Sequence, residues 1–208
     1  MKLIYLGHAC FLVESCDGDV VFDPFQDDSV DGLDSFPKNI SADLCLCSHR
    51  HDDHNASEKI TIKPNAKSIK TEIFNIPHDK NNGAKRGMNK IQCVTLEGKR
   101  VVHLGDIGVV DTHILKSIEG CDVLLCPING FFTIGAEEAK QVYEIVKPKL
   151  FIPMHYRDNN MGFGYPDDNQ IGRFKVLFPN ALKVKKSEVI LDDLTPDTKI
   201  LIFEDYKK

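Results

Sequence analysis

The residues best equipped for chemistry in this 208-residue chain lie in one short stretch, Ser48-His49-Arg50-His51-Asp52-Asp53-His54. Three of the chain's eight histidines fall there with two aspartates, directly after the apolar run Leu44-Cys45-Leu46-Cys47. Imidazole nitrogen and carboxylate oxygen are ligands that borderline divalent metals accept. A solvated polar loop is the plainer alternative, but nothing about such a loop calls for histidine at this density. The stretch reads as half of a metal site. Other candidates stand alone at the carboxyl ends of apolar runs: His78 after Ile76-Pro77, Asp106 after Val102-His103-Leu104-Gly105, and His155 after Ile152-Pro153-Met154. A lone histidine at a strand end is more often hydrogen-bonded structure than a ligand. Beside the cluster, however, these positions complete a set of seven candidates, His49, His51, Asp53, His54, His78, Asp106 and His155, enough for two metals.

A second tier surrounds them. His8, at the bend Gly7-His8-Ala9, is a candidate for supporting a ligand, contacting substrate or capping the bend. Asp23 is expected to orient the His49–His54 loop. His103 is expected to face away from Asp106 as a buried structural or supporting group. Tyr156 is either a donor to a developing oxyanion or a packing residue. Lys80, Lys85, Arg86 and Lys90 crowd the loop after His78 as a solvated charged loop or an anion-binding rim. Arg50, a cation beside metal ligands, is expected to turn away and pair with a carboxylate.

These residues need strands to carry them. Leu3–Leu6, Cys10–Glu14 and Val20–Phe22 are short apolar runs with a hairpin turn at Asp17-Gly18, and Asp43–Ser48 is a buried strand that delivers the cluster. Ser68–Ile76, Ile91–Leu96 and Arg100–Leu104 follow, the last two as a hairpin around Gly98. Asp111 is placed to cap a short helix to Ile118. Asp122–Cys126 is the next buried strand. The order strand, turn, strand, buried strand thus occurs twice, once with the second strand ending at Asp23 and the buried strand at the histidine cluster, and once with the second strand ending at Asp106 and the buried strand at Cys126. Two such units face to face make a sandwich of two sheets with helices outside. Gly135 and Glu138 open a helix whose Ala139, Val142, Tyr143 and Val146 share a face until Pro148. Leu150–Ile152 is a strand, Arg157–Pro166 a Gly/Asn/Pro loop, and a further helix runs to about Leu177 before strands at Leu182–Val184 and Lys199–Phe203. Alternation of strands and helices predicts an α/β protein with its ligands on loops at strand ends.

Length and composition fit a single domain over residues 1–208 with a sizeable core. The formal net charge of −5 supplies no overall positive field for nucleic acid. Strand-like residues follow Met1 at once, so neither a signal peptide nor a membrane span is expected, and a cytoplasmic location is. Seven cysteines without a CxxC pair suit buried thiols in a reducing compartment. Serine-hydrolase elbows, HExxH helices, phosphate-binding P-loops and zinc-deaminase signatures are absent.

In this order, Gly7-His8-Ala9, Val21-Phe22-Asp23-Pro24, Ser48–His54, His78-Asp79, His103-Leu104-Gly105-Asp106, Pro127–Gly135 and Ile152–Tyr156 resemble the metallo-β-lactamase superfamily of metal-dependent hydrolases. Within it the chain looks most like the small branch grouped with L-ascorbate-6-phosphate lactonase. The resemblance implies a four-layer αββα sandwich and two divalent metal ions, zinc first, with manganese or iron as substitutes. It assigns His49, His51 and His78 to one metal, Asp53, His54 and His155 to the other, and Asp106 as the bridge. An extended His49–His51 segment would point both rings to one side. The implied reaction is hydrolysis by a water deprotonated between the metals, with Asp53 as the catalytic group that holds it and accepts its proton.

Histidine at 51 disfavours the oxygen-reducing di-iron relatives, which resemble HxExDH. Asp106, where many true β-lactamases carry cysteine, disfavours antibiotic hydrolysis. The expected partner is a small anionic ester, a lactone or a phosphodiester. A nuclease of this fold and a non-enzymatic metal-binding domain are the competing readings. The acidic balance and lack of a long RNA-gripping insertion argue against the first. Retention of all seven ligand candidates argues against the second.

Overall fold

The computed structural model describes residues 1–158, 161–164 and 168–207. Part of the expected Arg157–Pro166 loop therefore lies outside the described residues. The strands in chain order are β1 (Lys2–Gly7), β2 (Cys10–Glu14), β3 (Val20–Phe22), β4 (Ser41–Ala42), β5 (Leu44–Leu46), β6 (Thr61–Ile62), β7 (Lys70–Pro77), β8 (Met88–Leu96), β9 (Lys99–His103), β10 (Val123–Pro127), β11 (Leu150–Met154), β12 (Leu182–Val184), β13 (Glu188–Ile190) and β14 (Leu201–Phe203). The helices are α1 (Thr112–Lys116), α2 (Ala136–Val146) and α3 (Gln170–Leu177).

Near-continuous apolar runs signal strands buried on both faces, and here each run divides its side chains between two cores. Leu3 and Tyr5 of β1 and Phe11 and Val13 of β2 point between the sheets, where they meet Val94, Val101, Leu125 and Ile152. Their neighbours Ile4, Leu6, Cys10 and Leu12 point outward under Phe25, Leu33, Phe36 and Ile60. On the second sheet Val102, Leu124, Cys126 and Phe151 face outward onto α2 and α3 through Ala139, Val142 and Phe174. Each fully buried aliphatic or aromatic side chain contributes roughly 1.5–3 kcal/mol, so these two faces supply most of the driving force.

The repeated unit foreseen in the sequence is present in the strand order. One sheet runs β13-β1-β2-β3-β5 and the other β11-β10-β9-β8-β7. In the first, β1/β2 and β2/β3 are antiparallel and β3/β5 parallel. In the second, β7/β8 and β8/β9 are antiparallel and β9/β10 parallel. Asp23 after β3 and Asp106 after β9 therefore emerge at corresponding places, and the histidine cluster follows β5. Four layers result, but the one over the first sheet is irregular chain from residues 25–40 plus a 3₁₀ helix, Ser57–Lys59, instead of an α-helix. That segment is rich in Asp, Ser and Pro, which favour turns, and it buries isolated aromatics instead of a helical stripe.

Two sequence expectations change. The strand expected over Asp43–Ser48 is paired only at Leu44–Leu46, and residues 48–51 bend away from it. Glu188–Ile190, too short and polar to signal a strand, pairs antiparallel with β1 at the sheet edge. The helix starts follow their caps. Asp111 Oδ1 accepts the N–H groups of His113 and Ile114, and the Gly135 N–H donates to Glu138 Oε2 at 2.9 Å. Among the described residues no helix is long and apolar enough to cross a membrane, and all seven cysteines are free thiols.

Candidate metal centre

Four strand ends converge at one rim of the sandwich. The segment after β5 brings His49, His51, Asp53 and His54; the end of β7 brings His78; the loop after β9 brings Asp106; the end of β11 brings His155. Their ligand atoms fall into three overlapping groups, each within 4.8 Å: His49, His51 and His78; His49, His54 and Asp106; and His8, Asp53, His54 and His155. The seven candidates thus meet, and His8 joins them. The His49–His51 segment is bent rather than extended, yet the two rings lie 4.6 Å apart.

Asp106 is the hub. Its Oδ2 lies 3.1 Å from His155 Nε2, 3.4 Å from His78 Nε2 and 3.9 Å from His49 Nε2, and its Oδ1 lies 3.3 Å from His54 Nε2. Asp53 Oδ2 lies 3.2 Å from His54 Nε2 and 3.6 Å from His155 Nε2, and accepts the His8 Nε2–H at 3.1 Å.

Below the ligands sits Asp23, fully buried, with φ of 45°. It accepts the Ser48 N–H and O–H, each at 2.6 Å, and the His54 Nδ1–H at 2.7 Å. Because the Ser48 hydroxyl donates to Asp23, it must accept from His49 Nδ1–H, 2.9 Å away. Asp23 thereby fixes two tautomers, one directly and one through Ser48. In both rings the Nε2 lone pair is left facing the cluster, which is how carboxylates prepare histidines for metals. Ser48 was part of the sequence cluster but had no assigned role. Asn89 gave no sequence signal at all, since nothing marks a buried asparagine at the start of a strand. Its Oδ1 accepts the Asp106 N–H at 2.8 Å and its Nδ2 donates to the Leu104 carbonyl at 2.7 Å. The backbone is also tight here: a Cβ on Gly105 would sit 2.3 Å from Asn89 Oδ1, and one on Gly108 2.4 Å from the His78 carbonyl. His8 and His155 hold φ of 56° and 52°, a left-handed conformation unusual for side chains of this size.

The electrostatics call for cations. Three carboxylates, Asp23, Asp53 and Asp106, lie together in largely water-free surroundings. Burial works against charging His54, but Asp106, Asp53 and Asp23 outweigh it and raise His54 well above the ordinary imidazole range. Burial likewise opposes charge on His155, yet Asp106 and Asp53 push it up to about 9. Burial would raise Asp53 and Asp106, and the surrounding histidines instead hold both far below the ordinary carboxylate range. Away from the densest charge, burial wins: His49 falls to about 3 and His8 to about 4. Even so, buried Nε2 atoms of His49, His54, His78 and His155 and Oδ1 of Asp106 have no hydrogen-bond partner among the described residues. A buried polar atom without a partner costs about 1–3 kcal/mol, so several aimed at one point fit divalent metal and fit little else.

The second-tier residues divide. His103 donates from Nε2 to the Ala9 carbonyl at 2.8 Å, accepts the Gly105 N–H at Nδ1 and stacks on Phe22, so it is a structural group between the sheets. Tyr156 does not reach the cluster, and its candidacy as an oxyanion donor is corrected: the buried hydroxyl donates to the Phe203 carbonyl at 3.0 Å. Arg50 is exposed and makes no ion pair among the described residues, so the expected carboxylate partner is not found there. Phe163, unmarked in the sequence, lies against the cluster with its ring 5.4 Å from His8 and 6.0 Å from His155.

Comparison with known proteins agrees with this geometry. Residues 2–155 match the profile of the β-lactamase superfamily domain. A UPF0173 metal-dependent hydrolase of Natranaerobius thermophilus is 30% identical, with 75% of this chain and 83% of the relative covered. One from Archaeoglobus fulgidus is 27% identical over 94% of this chain and 96% of the relative. Among solved structures, a candidate Zn-dependent hydrolase of the metallo-β-lactamase superfamily from Thermotoga maritima superposes with a TM-score of 0.74 at 28% identity, covering 97% of both chains. With its paired sheet units and its His/Asp cluster at the strand ends, the chain belongs to the metallo-β-lactamase superfamily.

Proposed function

We propose that this protein is a dinuclear metal-dependent hydrolase, with zinc as the first choice of metal, acting on a small anionic ester such as a lactone or a phosphodiester. The supporting observation is the convergence of unpartnered buried Nε2 and Oδ atoms on two adjoining groups, one with His49 and one with His54, which the third group His49, His54 and Asp106 links. His49, His51 and His78 would hold one ion, Asp53, His54 and His155 the other, and Asp106 would lie between them. When bound, such ions lower the pKa of water and polarise a carbonyl or phosphoryl oxygen. The protein's own part is positional. Asp53 presents Oδ2 to the centre and is the group to hold a water and take its proton. His8, braced against the His155 ring at 3.9 Å, donates to that same oxygen and keeps it aimed. Asp23 and Ser48 keep the His49 and His54 lone pairs directed inward. The anionic substrate class follows from the cationic loop after His78 and from the resemblance to the ascorbate-6-phosphate lactonase branch.

Zinc-loaded protein should hydrolyse a lactone panel or bis(4-nitrophenyl) phosphate, and His51→Ala should lose at least 100-fold of that rate, roughly 2.7 kcal/mol of barrier. Equal rates in wild type and His51→Ala would contradict the reading.

A further inference from the structure

The loop after His78 is organised around one carboxylate. Asp79 Oδ1 accepts the N–H groups of Asn81 and Gly83, and Oδ2 those of Lys85 and Arg86 at 3.0 and 2.7 Å. The His78 N–H donates to the Gly87 carbonyl, closing the loop beside the metal centre. Its cations have different fates. Lys80 is spent on Glu138 at 2.8 Å. The Arg86 guanidinium instead lies 3.8 Å from the centroid of the Phe132 ring, and among the described residues it has no carboxylate partner.

Phe132 belongs to a continuous aromatic wall. Its ring is 5.6 Å from that of Phe163, which in turn touches His8 and His155. One buried residue fixes the wall: Asn129 Oδ1 accepts the Phe132 N–H at 2.8 Å, and Asn129 Nδ2 donates to the Phe163 carbonyl at 3.0 Å. A guanidinium stacked on an aromatic face keeps its N–H edge available and loses little freedom when an oxyanion arrives. The inner face of the site is lined by carboxylates and imidazoles, so among the described residues a second anionic group on the substrate finds no lysine or arginine there.

We propose that Arg86 is the specificity residue of this site, receiving an oxyanion substituent set away from the scissile bond. Phe132 and Phe163 pack the flat or apolar part of the substrate between that anion and the metal centre. The substrate class is therefore an ester with a planar or apolar body and a remote phosphate, sulfonate or carboxylate. This assignment rests on the hydrolase reading for its substrate, but its test includes binding alone.

Benzenesulfonate, a poor zinc ligand, and its neutral isostere methyl phenyl sulfone are titrated calorimetrically into zinc-loaded wild type, Arg86→Ala and Arg86→Lys. Wild type should prefer the sulfonate by about tenfold or more, the scale of one charge-assisted contact. Arg86→Ala should abolish the preference with metal content retained, and Arg86→Lys, which keeps charge without the planar fork, should keep part of it. In kinetics, the kcat/KM ratio of 4-nitrophenyl hemiglutarate over 4-nitrophenyl acetate should fall by about the same factor in Arg86→Ala, through KM. No preference in wild type, or an undiminished one in Arg86→Ala, would overturn the proposal. If wild type shows the binding preference and hydrolyses neither ester, the hydrolase reading fails for esters while the Arg86 assignment stands.

Discussion

At the scale of single residues, the centre depends on a carboxylate, Asp23, that reaches His54 directly and His49 through Ser48. Asp23 is separated from Ser48 by 25 residues, and their hydrogen bonds set which nitrogen of His49 and His54 faces inward. Asp23→Asn keeps the shape and removes the charge and one acceptor. Zinc affinity should fall about 10–100-fold, as for other groups that orient metal-binding histidines. Competition against a chromophoric chelator measures it, and unchanged affinity would show that the tautomers are fixed some other way. The cluster itself was readable in the sequence because three histidines within six positions have no structural purpose. Asn89 was not, since a buried asparagine is a matter of which carbonyl and which N–H the fold brings to it. Tyr156 misled for the same reason: beside His155 in sequence, it turns to the opposite side and bonds Phe203.

At the scale of elements, the strand that delivers the cluster is only three residues long, so its anchoring matters. Asp43, just before β5, accepts from Lys63 Nζ at 2.8 Å and from the N–H groups of Asp19 and Lys67 at 2.8 and 2.9 Å. The Lys63 ammonium first, and the two amides after it, hold its carboxyl well below the ordinary carboxylate range. A depressed folded-state pKa stabilises the fold above the unfolded value of about 4, and that contribution is lost as pH falls through the folded value. Asp43→Asn should therefore lower the urea midpoint at pH 7, and the gap to wild type should shrink as pH is taken below about 4. A gap that stays constant with pH would mean the charge of Asp43 is irrelevant to the anchor. The short strand also explains an error of reading: the apolar run predicts pairing up to Ser48, but Asp23 captures the Ser48 N–H and bends the chain toward the site.

At the scale of the whole molecule, the repeat of strand, turn, strand and buried strand was legible because burial on both faces writes long apolar runs into a sequence. The sheet order then follows, with Asp23 and Asp106 leaving the corresponding strands β3 and β9 of the two halves. The outer cover of the first sheet was not legible, since residues 25–40 bury scattered aromatics without periodicity. Nor was the wall of Phe132 and Phe163, which sequence places 31 positions apart and one asparagine joins. The two halves meet where Asp23 and Asp106, buried, and Asp53, partly so, lie with a ring of imidazoles and call for two cations. Metal content per chain, measured by elemental analysis after zinc reconstitution and exhaustive dialysis, is the direct test. Wild-type protein should retain about two zinc ions per chain and His51→Ala about one. One ion or fewer in the reconstituted wild type would contradict the two-metal centre.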